Sequence, residues 1–419
     1  MPRPTPFHPR TAPLCTSLSY KEWAGCYAVR RYDVYHEREY YALRHQATVM
    51  DATPLYKYEV RGPDAAALLS RVMVRGFMKT KLGRVGYVCW CDQHGKVLDD
   101  GTVTRLGQEH FRVTSADPTL GWLQRNARGL DVSVEDVTQS IAALALQGPR
   151  SCDILRQLVG EEIEDLTFFG ALAVRYQLEG RRAEGVVTRT GYTGDLGYEL
   201  WIGADDAIGL WDALFEAGDI HGLLPMGLDA LDVARVEAGF LLGGVDYTSA
   251  RSAFIERQKS SPYELGFDWM VKLKRGDFVG RTALQREKET GPKRRFVGLE
   301  IDWEEFADIH EAFGLPPHLA AETCREGVPL YEGSRQVGYA TSRTFSPLLK
   351  KYLALATVEA NCAKPGTELQ IEVTCEYERK IARATVNELP FYDPERKRAK
   401  PVLLEATNQA PLEAKGASA

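Results

Sequence analysis

No stretch of this chain approaches the roughly 20 consecutive apolar residues that a helix needs to cross a bilayer. Its opening run, Met1-Pro2-Arg3-Pro4-Thr5-Pro6, holds no apolar stretch of signal-peptide length. Both absences predict a cytoplasmic protein with no membrane partner. The eight cysteines (15, 26, 89, 91, 152, 324, 362, 375) are scattered, with no Cys-x-x-Cys pair and no nearby histidine cluster. That spacing predicts neither a disulfide framework nor a structural metal. Cys89 and Cys91 would share one face of a strand, but two thiols without further ligands read as small buried residues. Positive charge is short as well: 52 Lys and Arg against 58 Asp and Glu leave a formal net charge of −6. The broad basic field of a nucleic-acid binder is therefore missing. The one basic run, Arg396-Lys397-Arg398-Ala399-Lys400, reads as a solvated tail.

What is present suits a soluble enzyme: 419 residues, 44% hydrophobic and 26% charged, enough for two or three modules with separate cores. Residues 1 to about 18 are rich in proline and lack periodicity, so they read as an extended arm. A helix is predicted over Glu37–Arg44 and a strand over Tyr56–Val60; Gly62-Pro63-Asp64 then opens a helix from Ala65 to Val72. Between Val85 and Ala116 the pattern becomes a meander, with turns at Asp92-Gln93-His94-Gly95 and Gly107-Gln108. Ile141 to Leu146, Gln147-Gly148-Pro149-Arg150 and the helix Ser151 to Val159 then repeat the earlier strand-Gly-Pro-helix unit, which points to an internal duplication. The Lys- and Arg-rich stretch 284–296 reads as an exposed connection, and the short alternating strands after Val297 as a small β-barrel-like domain.

Three segments hold candidate chemistry. In Lys96-Val97-Leu98-Asp99-Asp100-Gly101-Thr102, strand alternation puts one carboxylate outward and one on the face of Leu98, which makes Asp100 the inward one. An acidic pair flanking a hairpin is the plain reading; a carboxylate on an apolar face, tolerated at catalytic sites, is the functional one. The run Thr190-Gly191-Tyr192-Thr193-Gly194-Asp195-Leu196-Gly197-Tyr198-Glu199 lacks the Lys-Ser/Thr of a phosphate loop. It is either a glycine-rich turn before a strand or a backbone bent around a flat ligand, with tyrosine faces for stacking. In the amphipathic helix Gly227 to Ala238, which ends at Gly243-Gly244, Arg235 and Glu237 read as ordinary surface or intramolecular pairing.

In order and spacing these pieces resemble the aminomethyltransferase (glycine-cleavage T-protein) family and its tetrahydrofolate-dependent demethylase relatives, from about residue 37 to 394. The matching motifs include Arg61-Gly62-Pro63-Asp64-Ala65, Lys96 to Asp100, Ala145 to Pro149, Thr190 to Glu199, Gly227 to Ala238, Asp277-Phe278-Val279-Gly280, Val337 to Ser342 and Pro390-Phe391-Tyr392. The resemblance implies an α+β, three-domain fold with tetrahydrofolate in a central channel. It divides the chain into an N-terminal arm (1–36), a folate-binding core of two related modules (about 37–140 and 141–285), a C-terminal β-barrel-like domain (286–400) and a tail (401–419). Residue by residue it implies Glu199 as the pterin-binding acid, Tyr192, Tyr87 and Trp269 as aromatics at the folate, and Asp100 beside the nitrogens that receive the one-carbon unit.

The departures fall on the donor side. Leu231 stands where the family carries an arginine, Asp51-Ala52-Thr53-Pro54-Leu55 has no histidine, and Tyr247 replaces a methionine. An insertion of roughly Trp303 to Arg325 is added. Leu55, Leu231 and Phe240 would form an apolar wall faced by Tyr247, which suits a small methyl or methylene donor, an aryl methyl ether or methylenedioxy compound, with no obligatory lipoyl carrier protein. Asp100 and Tyr247 are the expected catalytic residues. The alternatives are an orthodox aminomethyltransferase of glycine cleavage, a demethylase of a sulfonium or quaternary amine, and a non-catalytic folate-binding iron–sulfur assembly protein.

Overall fold

The strand Tyr56–Arg61 turns through Gly62 into the helix Ala65–Val72, and the strand Ile141–Gln147 turns through Gly148 into the helix Ser151–Val159. Both glycines have positive φ, +130° and +117°, and a Cβ would lie 2.5 Å from the Asp131 carbonyl oxygen at Gly62 and 2.7 Å from that of Gln46 at Gly148. Only glycine fits such corners.

In this computed structural model, which describes residues 1–403, each corner belongs to its own sheet. The first runs in the order Val85–Cys91, Val97–Arg105, His110–Ser115, Tyr56–Arg61, Ser133–Asp136. The second runs Ala171–Leu178, Arg181–Thr188, Gly197–Gly203, Ile141–Gln147, Ala47–Asp51, Leu223–Pro225. In both, a three-stranded meander lies beside the strand that leads into the Gly-Pro corner, so the sequence repeat is a repeat of sheet order.

Each sheet packs one face under helices. Val60, Leu68, Leu69, Val88 and Phe111 make one core, and Leu144, Leu146, Leu155, Leu200 and Leu210 the other. Alternation puts Lys57, Glu59 and Arg112 on the remaining face of the first sheet, and Gln147, Glu199 and Trp201 on that of the second. The guanidinium of Arg112 lies 6.0 Å from the Trp201 ring, so these two faces meet. The third unit is a closed barrel of six strands, in the order Arg294–Ile301, Lys351–Glu359, Arg335–Ser346, Val328–Glu332, Glu368–Cys375, Glu378–Asn387. No helix among the described residues is long and apolar enough to cross a membrane.

Several expectations are corrected. The N-terminal segment is not an extended arm. It forms the helix His8–Leu14 and a hairpin of Ser19–Trp23 with Cys26–Arg31. Phe7 is fully buried, 6.1 Å from the Trp211 ring, and Arg10 clasps Asp212 with bonds of 2.7 and 2.8 Å. Proline in its first turn starts this helix and hides its periodicity. Most of 284–296 is the helix Arg281–Thr290, anchored by the buried Leu284, and its charges are the solvent side. The helix Leu228–Glu237 stops short of Gly243-Gly244. Arg235 and Glu237 are buried in it. Arg235 donates to Asp232 (2.7 Å), Asp246 (2.6 Å) and Ser342 of the barrel (2.7 Å). Glu237 accepts from Tyr40, from Arg44 (2.5 Å) and from Ser346 of the barrel (2.5 Å).

The basic run is not a free tail either. Arg396 makes two bonds to the buried Asp195, at 2.7 and 2.8 Å, and Lys397 lies 5.1 Å over the Phe240 ring. Arg189 donates to the carbonyls of Arg396, Lys397 and Ala399. Residues 396–399 are thereby strapped across the glycine-rich turn, by acids and carbonyls that counting charges along the sequence does not reveal. Of the tail read at 401–419, residues 404–419 lie outside the described residues.

Candidate functional site

Asp100 is held between two phenols. Tyr87 Oη donates to Asp100 Oδ2 at 2.6 Å, and Tyr247 Oη to Asp100 Oδ1 at 2.5 Å. Tyr87 reaches it from the neighbouring strand, where Cys89 pairs with Asp100, and Tyr247 from the segment after the helix Leu228–Glu237. Burial pushes both phenols well above their ordinary range, and the Asp100 charge adds to the shift. Tyr192, from the second module, is close enough to feel the same charge.

Asp99 was expected to face outward, and it does not. It is 4% exposed, because the segment after the strand His110–Ser115 folds over that side. Its oxygens accept from the backbone N–H of Asp100 (2.9 Å) and of Asp117 (3.0 Å), and Tyr247 Oη stands 3.4 Å away. Burial, followed by the Asp100 charge, pushes Asp99 up to about 8. Burial raises Asp100 too, against the two tyrosine hydrogen bonds. Two adjacent buried carboxyls therefore share protons as a pair rather than both ionising near neutrality.

The glycine-rich turn bends around a side chain of its own. A Cβ at Gly191 or Gly197 would come within 2.0 and 2.3 Å of the Gln147 carboxamide. That fully buried carboxamide donates to the carbonyls of Thr190 (3.2 Å) and Tyr198 (3.3 Å) and accepts from Thr193 Oγ1 (2.8 Å). The turn is thus built before any ligand arrives. It presents Tyr192, whose hydroxyl donates to the Leu241 carbonyl and whose ring stacks on Phe240 at 5.5 Å.

Glu199, at the end of the turn, takes hydrogen bonds on Oε2 from Thr190 Oγ1 and Thr188 Oγ1. Its Oε1 has no partner among the described residues, so one oxygen is free and the other fixed in direction. Burial raises its pKa. Glu199→Ala is expected to weaken reduced-folate binding by about 2 kcal/mol, the scale of lost charged hydrogen bonds. Calorimetry checks this, and an unchanged affinity would remove Glu199 from the site.

At the rim, Trp269 is 55% exposed, with its ring 6.4 Å from that of Tyr87 and 27° from parallel; Phe267 meets Tyr87 edge-on. The donor-side residues do not all converge. Leu55 and Leu231 pack against one cluster that includes Met50, Ala143 and Trp201, whereas Phe240 belongs with Tyr192 and Lys397. The insertion begins with the helix Trp303–Glu311 and ends near the same cluster, where Glu322 pairs with Arg30 and Arg325 with Asp232 (2.7 Å). Sequence reasoning missed Gln147, the two threonines on Glu199 and the hydroxyl of Tyr87. Of these, only the close glycine spacing beside Gln147 left a local trace.

Residues 3–275 match the GCVT N-terminal domain, and residues 294–393 match the glycine cleavage T-protein C-terminal barrel domain. The chain belongs to the glycine cleavage T-protein family. It is 37% identical to an aminomethyltransferase of Symbiobacterium thermophilum, over 84% of this chain and 88% of that protein. It is 32% identical to the Bacillus pumilus aminomethyltransferase, over 87% of this chain and 91% of that one. It is also 35% identical to a trimethylamine-oxide aldolase of Ruegeria pomeroyi, over 86% of this chain but only 43% of that longer protein. The fold superposes on the glycine cleavage system aminomethyltransferase T of Bartonella henselae with a TM-score of 0.78, over 94% of this chain and 99% of that one, at 24% identity. The T-protein family is one of folate-dependent one-carbon transfer enzymes, and this chain has its α+β core and closed C-terminal barrel.

Proposed function

We propose that this T-protein-family member moves a methyl or methylene unit from a small free donor to tetrahydrofolate, the donor being an aryl methyl ether or methylenedioxy compound. The observation behind this reading is the hydrogen-bonded chain Tyr87–Asp100–Tyr247. Glu199, with Oε2 held by Thr188 and Thr190, offers its free Oε1 to the donor edge of a pterin. Tyr192 and Tyr87 would hold the flat body, with Trp269 at the rim. Bound there, tetrahydrofolate supplies the nucleophilic nitrogen that receives the carbon.

The residues of this chain then manage protons. Asp100 accepts a proton on the acceptor side, and Tyr247 gives one to the oxygen that leaves the donor. The 2.5 Å bond between them lets Asp100 restore the proton on Tyr247. Holding donor and acceptor together supplies much of the remaining rate. Leu231 and Leu55, in place of cationic and polar groups, disfavour an aminomethyl-lipoyl arm. A second reading, an amine-type donor, is favoured by the similarity to the trimethylamine-oxide aldolase.

The test is a donor screen with tetrahydrofolate, reading the folate product by mass, in wild type and Tyr247→Phe. It compares aryl methyl ethers and methylenedioxy compounds with dimethylsulfoniopropionate, glycine betaine, trimethylamine N-oxide and an aminomethylated lipoyl carrier. Ether turnover that falls about 10²-fold or more in Tyr247→Phe is expected. Turnover of only a sulfonium or amine donor, with the mutant fully active, defeats both the ether assignment and the role of Tyr247. Ammonia release from the carrier at rates matching the other donors restores the orthodox activity.

A further inference from the structure

Glu199 is an acid partly withdrawn from water with no cation beside it. Its strand partners at this register are Thr188 and Ala145, and among the described residues only burial and the hydroxyls of Thr188 and Thr190 act on its charge. Burial penalises the ionised form, and no opposite charge offsets that penalty. Whatever keeps this carboxylate ionised and aimed must come through hydrogen bonds, and these lead to a residue that the function described above does not use.

That residue is Trp201, two positions along the same strand and on the same face. It is 4% exposed, and its Nε1 donates to Thr188 Oγ1 at 3.3 Å. Thr188 Oγ1 lies 2.7 Å from Thr190 Oγ1 and 3.3 Å from Glu199 Oε2, and Thr190 Oγ1 donates to the same Oε2. The proton count fixes the direction of these bonds. An indole N–H can only donate, and each threonine has one proton to give. Thr190 gives its proton to Glu199, so Thr188 accepts from Trp201 and passes its own proton onward, to Thr190 or directly to the acid. Every bond in the chain then points at Oε2, and hydrogen bonds aligned in this way strengthen one another. Without the indole N–H the Thr188 oxygen is released, and the pair can reverse, with Thr190 donating to Thr188 and the acid losing its nearest donor.

The indole is held from the other module. Arg112 lies 6.0 Å from the ring, its Nε and Nη2 both bond to Glu59 Oε1 at 2.8 Å, and His110 bonds the other Glu59 oxygen. A cation balanced in this way keeps its place, and the ring face keeps its place against it. The first sheet thus fixes the ring whose edge aims the acid of the second.

We propose that Trp201 is a positioning residue for the cofactor acid, its indole N–H setting the direction of the Thr188–Thr190 hydroxyl chain so that the protons run toward Glu199 Oε2 and Oε1 is left for the ligand. The proposal rests on the folate reading above. It makes affinity for the acceptor depend on a side chain that never touches it.

The experiment has a ligand-free arm and a folate arm, both on the full chain. In the first, NMR of protein carrying isotope-labelled glutamate follows the Glu199 carboxyl, identified by its loss in Glu199→Gln, as pH is varied. Trp201→Phe keeps an aromatic ring beside Arg112 without the N–H, and Thr188→Val keeps the volume without the hydroxyl; thermal melts confirm that each is folded. Fewer hydrogen bonds to the charged form raise a carboxyl, so both variants should titrate Glu199 at higher pH than wild type, whereas Thr188→Ser, which retains the hydroxyl, should titrate with wild type. In the second arm, calorimetry measures tetrahydrofolate binding. Trp201→Phe and Thr188→Val are each expected to weaken it about tenfold at neutral pH, with the loss closing as pH rises. Because both break one chain, Trp201→Phe/Thr188→Val should lose no more than about twofold beyond either single variant. A ring that only packs gives losses that multiply, to about a hundredfold in the double variant, or leaves the Glu199 titration unmoved in Trp201→Phe, and either result overturns the proposal. If wild type fails to bind folate while the Glu199 titration moves as stated, the folate reading falls and the role of Trp201 in aiming this acid stands.

Discussion

Asp100→Asn is expected to leave a folded protein that binds folate yet turns over about 10²- to 10⁴-fold more slowly, the usual loss when a general acid or base is removed. Asparagine keeps the volume; its oxygen can accept from one phenol while its NH2 donates to the oxygen of the other, so the geometry survives while the proton acceptor is gone. The neighbouring substitution, Asp99→Asn, should act differently. Asp99 is buried, and its two oxygens accept separately from the Asp100 and Asp117 amides, so asparagine keeps one of these bonds and loses the other. Asp99, pushed up to about 8, is protonated where Asp100 ionises, so its replacement removes a neutral neighbour rather than a charge. Burial raises Asp100, so the working carboxylate exists only above that raised value, and the acid limb of kcat/KM lies above the ordinary carboxylate range. Burial and the Asp117 charge raise Asp100, so the limb should stay in place in Asp99→Asn. A pH–rate profile of the three proteins measures this. An acid limb that moves to lower pH in Asp99→Asn would mean that Asp99 is ionised beside Asp100, and equal rate losses in both mutants would remove the distinction between them.

What could be read from the chain beforehand follows the range of the forces involved. The corners at Gly62 and Gly148 were legible because a Cβ clash is local and glycine followed by proline announces it. Barrel strands such as Glu368–Cys375 and Glu378–Asn387 were legible because their alternation is local too. The burial of Asp99 was not, since alternation describes one strand and the cover comes from another segment, at Asp117. The glycine-rich turn was recognised as sharp, but its cause, Gln147, lies over forty residues earlier in the sequence and becomes its neighbour only through strand pairing. The strap at 396–399 was misread for the same reason: the charges were visible, and Asp195 and Arg189 were not identifiable as their partners.

Those long-range pairs also make the largest stability prediction. Glu237→Ala is expected to destabilise the protein by about 3 to 5 kcal/mol, the range seen when one partner of a buried ion pair is removed. The loss would be large because Glu237 is fully buried and serves Tyr40, Arg44 and Ser346 at once, leaving Arg44, itself 2% exposed, with Asp195 at 3.2 Å as its remaining acid. Arg44 in turn lies 4.5 Å from the Tyr392 ring, just before the strap, so the damage should extend to both the barrel contact and the glycine-rich turn. A surface pair gives the contrast. Glu359→Ala removes a partner of the exposed Arg335 within the barrel and should leave the melting temperature where it was. Thermal melts and limited proteolysis compare the two. If Glu237→Ala melts with wild type, the buried network is not what joins the core helix to the barrel. If it melts early while protease cuts the barrel first and the two-sheet core last, the network is the joint, and the position of the glycine-rich turn with Tyr192 depends on it.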